Sequence, residues 1–191
     1  MTDGRARRRE EGRTELYNAA VACYEQGDPI EVAKLAADLG ISRASAYRWV
    51  GSNDRLLAEV LRVRIRDGFR QYENLHRSKT GADRVAAVLE STIREVLGSR
   101  RFHALLTREP VKVLEITASR AYPNQRNFIS LVQGLLEEEI LRGYLAMPID
   151  SHTMAYSLVR LAEAFVYGDI VAGERPDVDR CMEIIRLLLG A

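Results

Sequence analysis

The stretch "AADLGISRASAYRWVGSNDRLL", residues 36–57, places Arg43, Tyr47, Arg48 and Trp49 just beyond a glycine that ends a helical pattern. It reads as helix, tight turn, helix. Leu35 and Leu39 are expected to pack inward from the first helix, and Ala36 is small where the second helix crosses. Gly40 supplies the positive φ that a tight turn needs, Ile41 plugs the gap, and Ser42 is the N-cap. At about 100° per residue, Ala46, Trp49 and Val50 share one side of helix 42–50. Ala44 and Arg48 lie opposite, flanked by Arg43, Ser45 and Tyr47.

That outer face has the chemistry of major-groove reading. An arginine such as Arg48 can bond bidentately to guanine O6 and N7, and the Ala44 methyl can meet a thymine methyl. Arg43, Ser45 and Tyr47 suit phosphates or base edges. Each residue singly would pass as the surface of a helical hairpin. The joint spacing of Ala36, Gly40, Ile41, Ala46 and Trp49 favours DNA binding.

The rest of the chain is helical in pattern. Helices are predicted at 12–26, 29–38, 42–50, 54–78, 82–98, 100–108, 110–119, 124–142, 150–172 and 177–189, and no segment alternates as a strand would. The fold class is therefore all-α. Asp28 is expected as the N-cap of the second helix, with Pro29 at its first position and Glu31 closing a capping box. Residues 1–52 form a three-helix helix-turn-helix DNA-binding unit. Residues 53–191 form a larger helical ligand-binding and dimerisation domain, and helix 54–78, with Gly68 inside it, joins the two.

Composition sets the frame for these motifs. With a net charge of +1, 47% hydrophobic and 29% charged residues, the 191-residue chain has ample apolar content for a packed core. Positive charge gathers at the start, where Arg5, Arg7, Arg8, Arg9 and Arg13 stand against Asp3, Glu10 and Glu11. Residues 1–11 are either a basic arm that tracks phosphates or a solvated, disordered terminus. Cys23 and Cys181 read as small buried hydrophobes in a reducing compartment. No apolar stretch spans a bilayer, so a cytoplasmic protein without membrane contact is expected. His76, His103 and His152 are scattered, and neither a metal-ligand spacing nor a phosphate loop nor a nucleophile elbow occurs. An enzyme, a metal site and a cofactor are not expected.

The chain resembles the TetR family of transcriptional regulators. "YNAAVACYEQG" (17–27) is similar to the family's first helix, and "LAADLGISRASAYRWVGSNDRLL" (35–57) to its signature, through Gly40, Ile41, Ser42, Tyr47, Ser52 and Leu56. The resemblance implies a DNA-backbone contact for Tyr47. Three positions depart from it: Val50 replaces a phenylalanine, Asn53 replaces a phosphate-binding lysine, and the turn from Gly27 to Val32 is about one residue short. Asn53 is carried with Ser42 as a DNA-binding candidate all the same. "EEEILRGYLAMPID" (137–150) is similar to the family's entry into its last helices, and the body resembles the QsdR-type regulators of lactone-signal degradation.

The resemblance implies a small-molecule effector, a double-stranded operator and a homodimer. The periodicity agrees with the last. Val178, Cys181, Met182, Ile185, Leu188 and Leu189 recur at helical spacing, as do Met154, Leu158, Leu161, Ala162, Phe165 and Val166 in the helix before. A four-helix interface of helices 150–172 and 177–189 from two copies is expected, against the alternative of an intramolecular core. Candidate ligand-binding residues are Phe102, His103, Leu106, Thr107, Asn127, Phe128, Tyr156, Arg160, Glu163 and Tyr167, with Glu115, Val132 and Phe165 nearby in pattern. Each alternatively serves as an ordinary surface or structural residue. The expected function is a ligand-responsive dimeric repressor; the rival is a helical homodimeric interaction protein that does not bind DNA.

Overall fold

The computed structural model describes the backbone of residues 2–190 and the side chains of 7–190. Met1, Ala191 and the side chain of Arg5, all within the expected arm or terminus, lie outside the described residues. The chain runs α1 (Thr2–Gln26), α2 (Val32–Asp38), α3 (Arg43–Val50), α4 (Asn53–Leu75), α5 (Gly81–Gly98), α6 (Arg100–Arg108), α7 (Pro110–Ala118), α8 (Asn124–Leu141) and α9 (Ser151–Glu163). A π-helical turn (Ala164–Gly168) and the short α10 (Asp169–Val171) prolong α9, and α11 (Val178–Leu189) closes the chain. No strand occurs among the described residues.

Helix α1 begins at Thr2 rather than near residue 12. The expected arm is thus the first turns of a helix, steadied by an Arg7–Glu11 pair at 2.9 Å across one turn. The disordered alternative does not hold for the described residues. At its other end, Gly27 at φ 79° lets its own N–H reach the Tyr24 carbonyl while Asp28 N–H reaches Cys23. This Schellman closure uses Asp28 to end α1. The capping box expected at Asp28 and Glu31 is therefore absent, and α2 starts at Val32. Its first amide is capped from elsewhere: Asn53 Oδ1 accepts the Val32 N–H at 2.9 Å. Gly40, at φ 65°, ends α2 by the same closure, with Ile41 N–H on Ala36 and Gly40 N–H on Ala37. The turn leaves Leu39 37% exposed rather than packed inward.

Three apolar clusters organise the chain. The first joins Leu16 and Ala20 of α1, Val32, Leu35 and Ala36 of α2, Ala46 and Val50 of α3, and Leu56 and Val60 of α4. Trp49 is half-buried at its rim and lies so close to Gly12 that a side-chain carbon there would collide with the indole ring. A second cluster holds Leu57, Ala58 and Leu61 of α4 against Phe102, Leu105, Leu106, Val113 and Ile116 of α6 and α7. The third and largest is built from α4, α5, α8, α9 and α11 around Phe69, Leu89, Leu136, Leu158 and Met182.

This last cluster corrects the reading of the two final helices. Cys181, Met182, Ile185 and Leu189 are buried within the chain's own core. So are Met154, Leu158, Ala162 and Val166. The stripes expected to wait for a partner are mostly spent against α5 and α8, because α5 is itself strongly amphipathic and needs α11 to cover it. Leu187 and Leu188 remain 78% and 43% exposed on α11.

An ionic clamp closes the far end of the body. Glu139 is fully buried and accepts from Gly81 N–H (2.5 Å), Arg84 (2.5 Å) and Arg142 (3.2 Å), tying the start of α5 to the end of α8. Arg84 also donates to Glu138 at 2.7 Å and thereby holds that carboxyl below the ordinary carboxylate range. A buried charge that loses its partner is costly. Replacing Glu139 by alanine is expected to lower unfolding free energy by about 3–5 kcal/mol, read by urea denaturation.

Candidate functional site

Helix α3 is held edge-on by its neighbours. Ala46 and Val50 are buried, Ile41 and Trp49 are half-buried, and Ser42 caps the helix by accepting the Ser45 N–H at 3.2 Å. Four of the side chains on the opposite side, Arg43, Ala44, Tyr47 and Arg48, are exposed. Ser45 stands among them, its hydroxyl 3.0 Å from Ser42 Oγ and receiving Arg48 at 3.2 Å. The result is one outward patch of guanidinium, hydroxyl, phenol and methyl groups on a convex helix. Asn53 does not join it. Its carbonyl oxygen is committed to the α2 amide, a link between residues far apart in sequence that no local pattern announces.

A cavity of about 300 Å³ opens in the body between α4, α5, α7, α8 and α9 with its π-turn. Its wall is mainly apolar, from Leu61, Ile65, Ile93, Val96, Leu131, Val159 and Val166. Four candidate residues line it: Asn127, Phe128, Glu163 and Tyr167. Phe102 does not, standing behind Tyr167 at a ring separation of 6.3 Å, and Leu106 is buried in the α6–α7 cluster. His103 and Thr107 are on the exposed side of α6, since Phe102, Leu105 and Leu106 take its inner face. Tyr156 is exposed on α9, and Glu115 on α7. Arg160 is exposed too, but its guanidinium reaches Glu163 at 3.1 Å. Val132 and Phe165 belong to the main core.

Several polar wall residues carried no sequence signal. Arg62, Arg66, Thr92, Thr117, Asn124 and Gln125 all border the cavity. Gln125 donates to both oxygens of Glu163, at 3.0 and 2.8 Å. Burial pushes the Glu163 carboxyl above its ordinary value, with Gln125 and Arg160 pulling the other way. Burial likewise pushes the Tyr167 phenol up to about 12, so it stays a neutral hydroxyl at physiological pH. No group of three His, Cys, Asp or Glu residues among those described could hold a metal. No helix among them is long and apolar enough to cross a membrane.

An outward polar face on α3 and a half-open, mainly apolar cavity in the body are joined by the long helix α4, which packs under the first and lines the second. The model of the tetracyclin repressor-like C-terminal domain matches residues 80–190, more than half of the chain, and the chain belongs to the TetR family. It has the fold of a transcriptional regulator of that family. The structure of the R. erythropolis transcriptional repressor QsdR superposes with a TM-score of 0.87 at 25% identity, over 95% of this chain and 96% of that one. The fatty acid degradation regulator FadR from Bacillus halodurans shares the fold at a TM-score of 0.57 and 13% identity, over 92% of this chain and 96% of its own. FadR from Bacillus subtilis, solved with stearoyl-CoA, does so at 0.56 and 16% identity over the same shares. No curated protein matches the chain by sequence.

The raised Glu163 carboxyl makes a signed prediction. A folded-state pKa above the unfolded one means that folding takes up protons, so the associated stability is complete below the unfolded value. It is lost as pH rises through the raised folded value. Relative to Glu163→Gln, the wild-type chain is therefore expected to lose melting temperature as pH climbs from the ordinary 4.5 through the folded value. Paired thermal melts across that window read the difference.

Proposed function

We propose that the chain is a ligand-responsive dimeric repressor that binds a palindromic operator and releases it when a small, largely apolar effector enters the cavity. The observation that carries this reading is the double duty of α4. Leu56 and Val60 sit in the core under the reading helix, while Leu61, Arg62, Ile65 and Arg66 line the cavity. Any effector that shifts α4 at the cavity shifts the floor on which α3 rests. In functional terms residues 1–52 are the reading head and 53–191 the sensor and dimer body. The QsdR structure, of a transcriptional repressor similar along nearly the whole chain, favours repression.

Two reading heads must stand about 34–36 Å apart to enter successive major grooves. An effector that prefers a different spacing lowers DNA affinity by its differential affinity for the two states, and by no more. The dimer face is assigned to what α9–α11 leave uncovered. Leu187 and Leu188 are exposed on α11, and Tyr156, Ala164, Gly168 and Ala172 are exposed along α9 and its extension. The small residues permit close approach, and the leucines supply apolar area. Joint replacement of Leu187 and Leu188 by glutamate is expected to give monomers in analytical ultracentrifugation, without loss of helicity.

Arg48 is assigned base reading and Tyr47 a phosphate contact. Arg48→Ala is expected to melt like wild type, because exposed substitutions typically stay within about 0.5 kcal/mol. On DNA from upstream of the gene it weakens specific binding by about 1–3 kcal/mol, and on a scrambled duplex by much less. Fluorescence anisotropy on both duplexes at one salt concentration measures this. An equal loss on both would assign Arg48 to phosphate only.

A further inference from the structure

Helix α1 is longer than the core beneath it. Its buried face runs through Gly12, Leu16 and Ala20, and one turn before Gly12 the burial stops, with Arg7, Arg8, Arg9 and Glu10 all exposed. At about 100° per residue Arg9 continues the line of Gly12 and Leu16, and Arg8 flanks it, while Arg7, Glu10 and Glu11 take the outer side. Arg7 is engaged with Glu11 at 2.9 Å. The ion pairs among the described residues include Arg7 and Arg13 of this helix, and neither Arg8 nor Arg9. The inward face of α1 thus runs out past the core as two exposed guanidiniums.

Two ion pairs fix the direction in which that end points. Arg13 donates to Glu59 of α4 at 2.9 Å, and Glu25 at the other end of α1 receives Arg64 of α4, so the two helices run in the same sense. Helix α4 follows the reading helix after only Gly51 and Ser52 and runs from there into the body, so its start marks the head end of the molecule. Counted back from the Arg13–Glu59 pair at 1.5 Å per residue, α1 begins about 7 Å farther from the body than α4 does. The indole of Trp49 lies against Gly12 and seats this stretch on α3. A groove between head and body, where Trp49 and Val50 face Tyr122, Pro123 and Asn124, takes Arg13 from α1. Arg8 and Arg9 lie one turn beyond it, away from the body and beside α3.

We propose that the first turns of α1 are a second DNA contact, in which Arg8 and Arg9 bind phosphates of the backbone that borders the groove entered by α3. The proposal rests on the reading of the chain as a DNA-binding regulator. A duplex carries one negative charge for about every 1.7 Å of its axis, and guanidinium–phosphate bonds are charge-assisted. The basic end of α1 and the exposed Arg43 and Arg48 of α3 make one positive surface, joined through the Gly12–Trp49 contact. Phosphate contacts carry no sequence information, and they fix how a reading helix is seated. Because this extension is already helical and packed on α3, it brings its charges to the backbone with less ordering than a disordered arm requires.

The test is fluorescence anisotropy of the full-length chain on a duplex from upstream of the gene and on a scrambled duplex, repeated over a series of KCl concentrations. With Arg8→Gln and Arg9→Gln together, the slope of log K against log[salt] is expected to be shallower than wild type by about 1.8, the release from two phosphates. The change is expected to be equal on both duplexes, since phosphates are common to them. Arg8→Lys with Arg9→Lys is expected to keep the wild-type slope, and Arg7→Gln, on the outer side, to leave it unaltered. Helicity and melting temperature are expected to stay at wild-type levels in all three, as is usual for exposed positions. A wild-type slope in the glutamine variant overturns the proposal. Equal flattening by Arg7→Gln overturns it as well, because the effect is then one of overall charge and not of a face. If the wild-type chain binds neither duplex even at low salt, the DNA-binding reading itself fails and this contact with it. Binding by wild type with an unaltered glutamine variant removes the α1 contact alone.

Discussion

Everything in this chain hangs on α4, a 23-residue helix of about 35 Å that, among the described residues, is the only element common to all three apolar clusters. Its early positions alternate between two cores. Leu56 and Val60 face the reading head, while Leu57, Ala58 and Leu61 face α6 and α7. Farther along, Phe69 is buried in the main body. A helix gripped on opposite sides at successive turns cannot rotate about its axis without uncovering apolar surface somewhere. Tilt is the motion that the grips at Leu56–Leu61 and at Phe69 leave to be restrained.

Charged groups set how that tilt is restrained. At the head end, Glu25 of α1 receives Arg64 of α4 and, at 2.6 Å, Arg101 of α6, and Arg101 also donates to the Glu25 carbonyl at 2.5 Å. These pairs are partly exposed, so they are individually weak and salt-sensitive. The Arg84–Glu139 clamp at the opposite end is buried and correspondingly firm. The body is pinned where α5 meets α8 and only laced where it meets the head.

The reading helix was legible in the sequence because its signals are local. Ser42 as N-cap, Gly40 as the turn, and the buried Ala46 and Val50 all lie within one turn or two of each other. The helical class followed from periodicity for the same reason. What escaped was long-range. Asn53 looks like a surface polar residue in a phosphate-contact position, yet it caps α2 across 21 residues. Gly12 carries no helical advantage and makes sense only beneath Trp49. The cavity was half-legible. Glu163 and Tyr167 stand out as polar residues in an apolar helix, whereas Asn124 and Gln125 open a polar-looking turn and betray nothing until α4 and α9 are folded against them. The apolar stripe of α11 fits either a contact between copies or an internal core, because periodicity reveals that a face is covered, not by which chain.

The contact between Gly12 and Trp49 has an optical consequence. The chain holds a single tryptophan, and it is wedged between α1 and α3 at the rim of the head, beside the groove that Asn124 shares. Selective excitation of that indole therefore observes the head alone, against a body that is spectroscopically silent at the same wavelength. Emission colour and quenching follow how tightly α3 is seated, with no label attached. The arrival at the reading helix of an event in the body can thus be timed in one unmodified molecule.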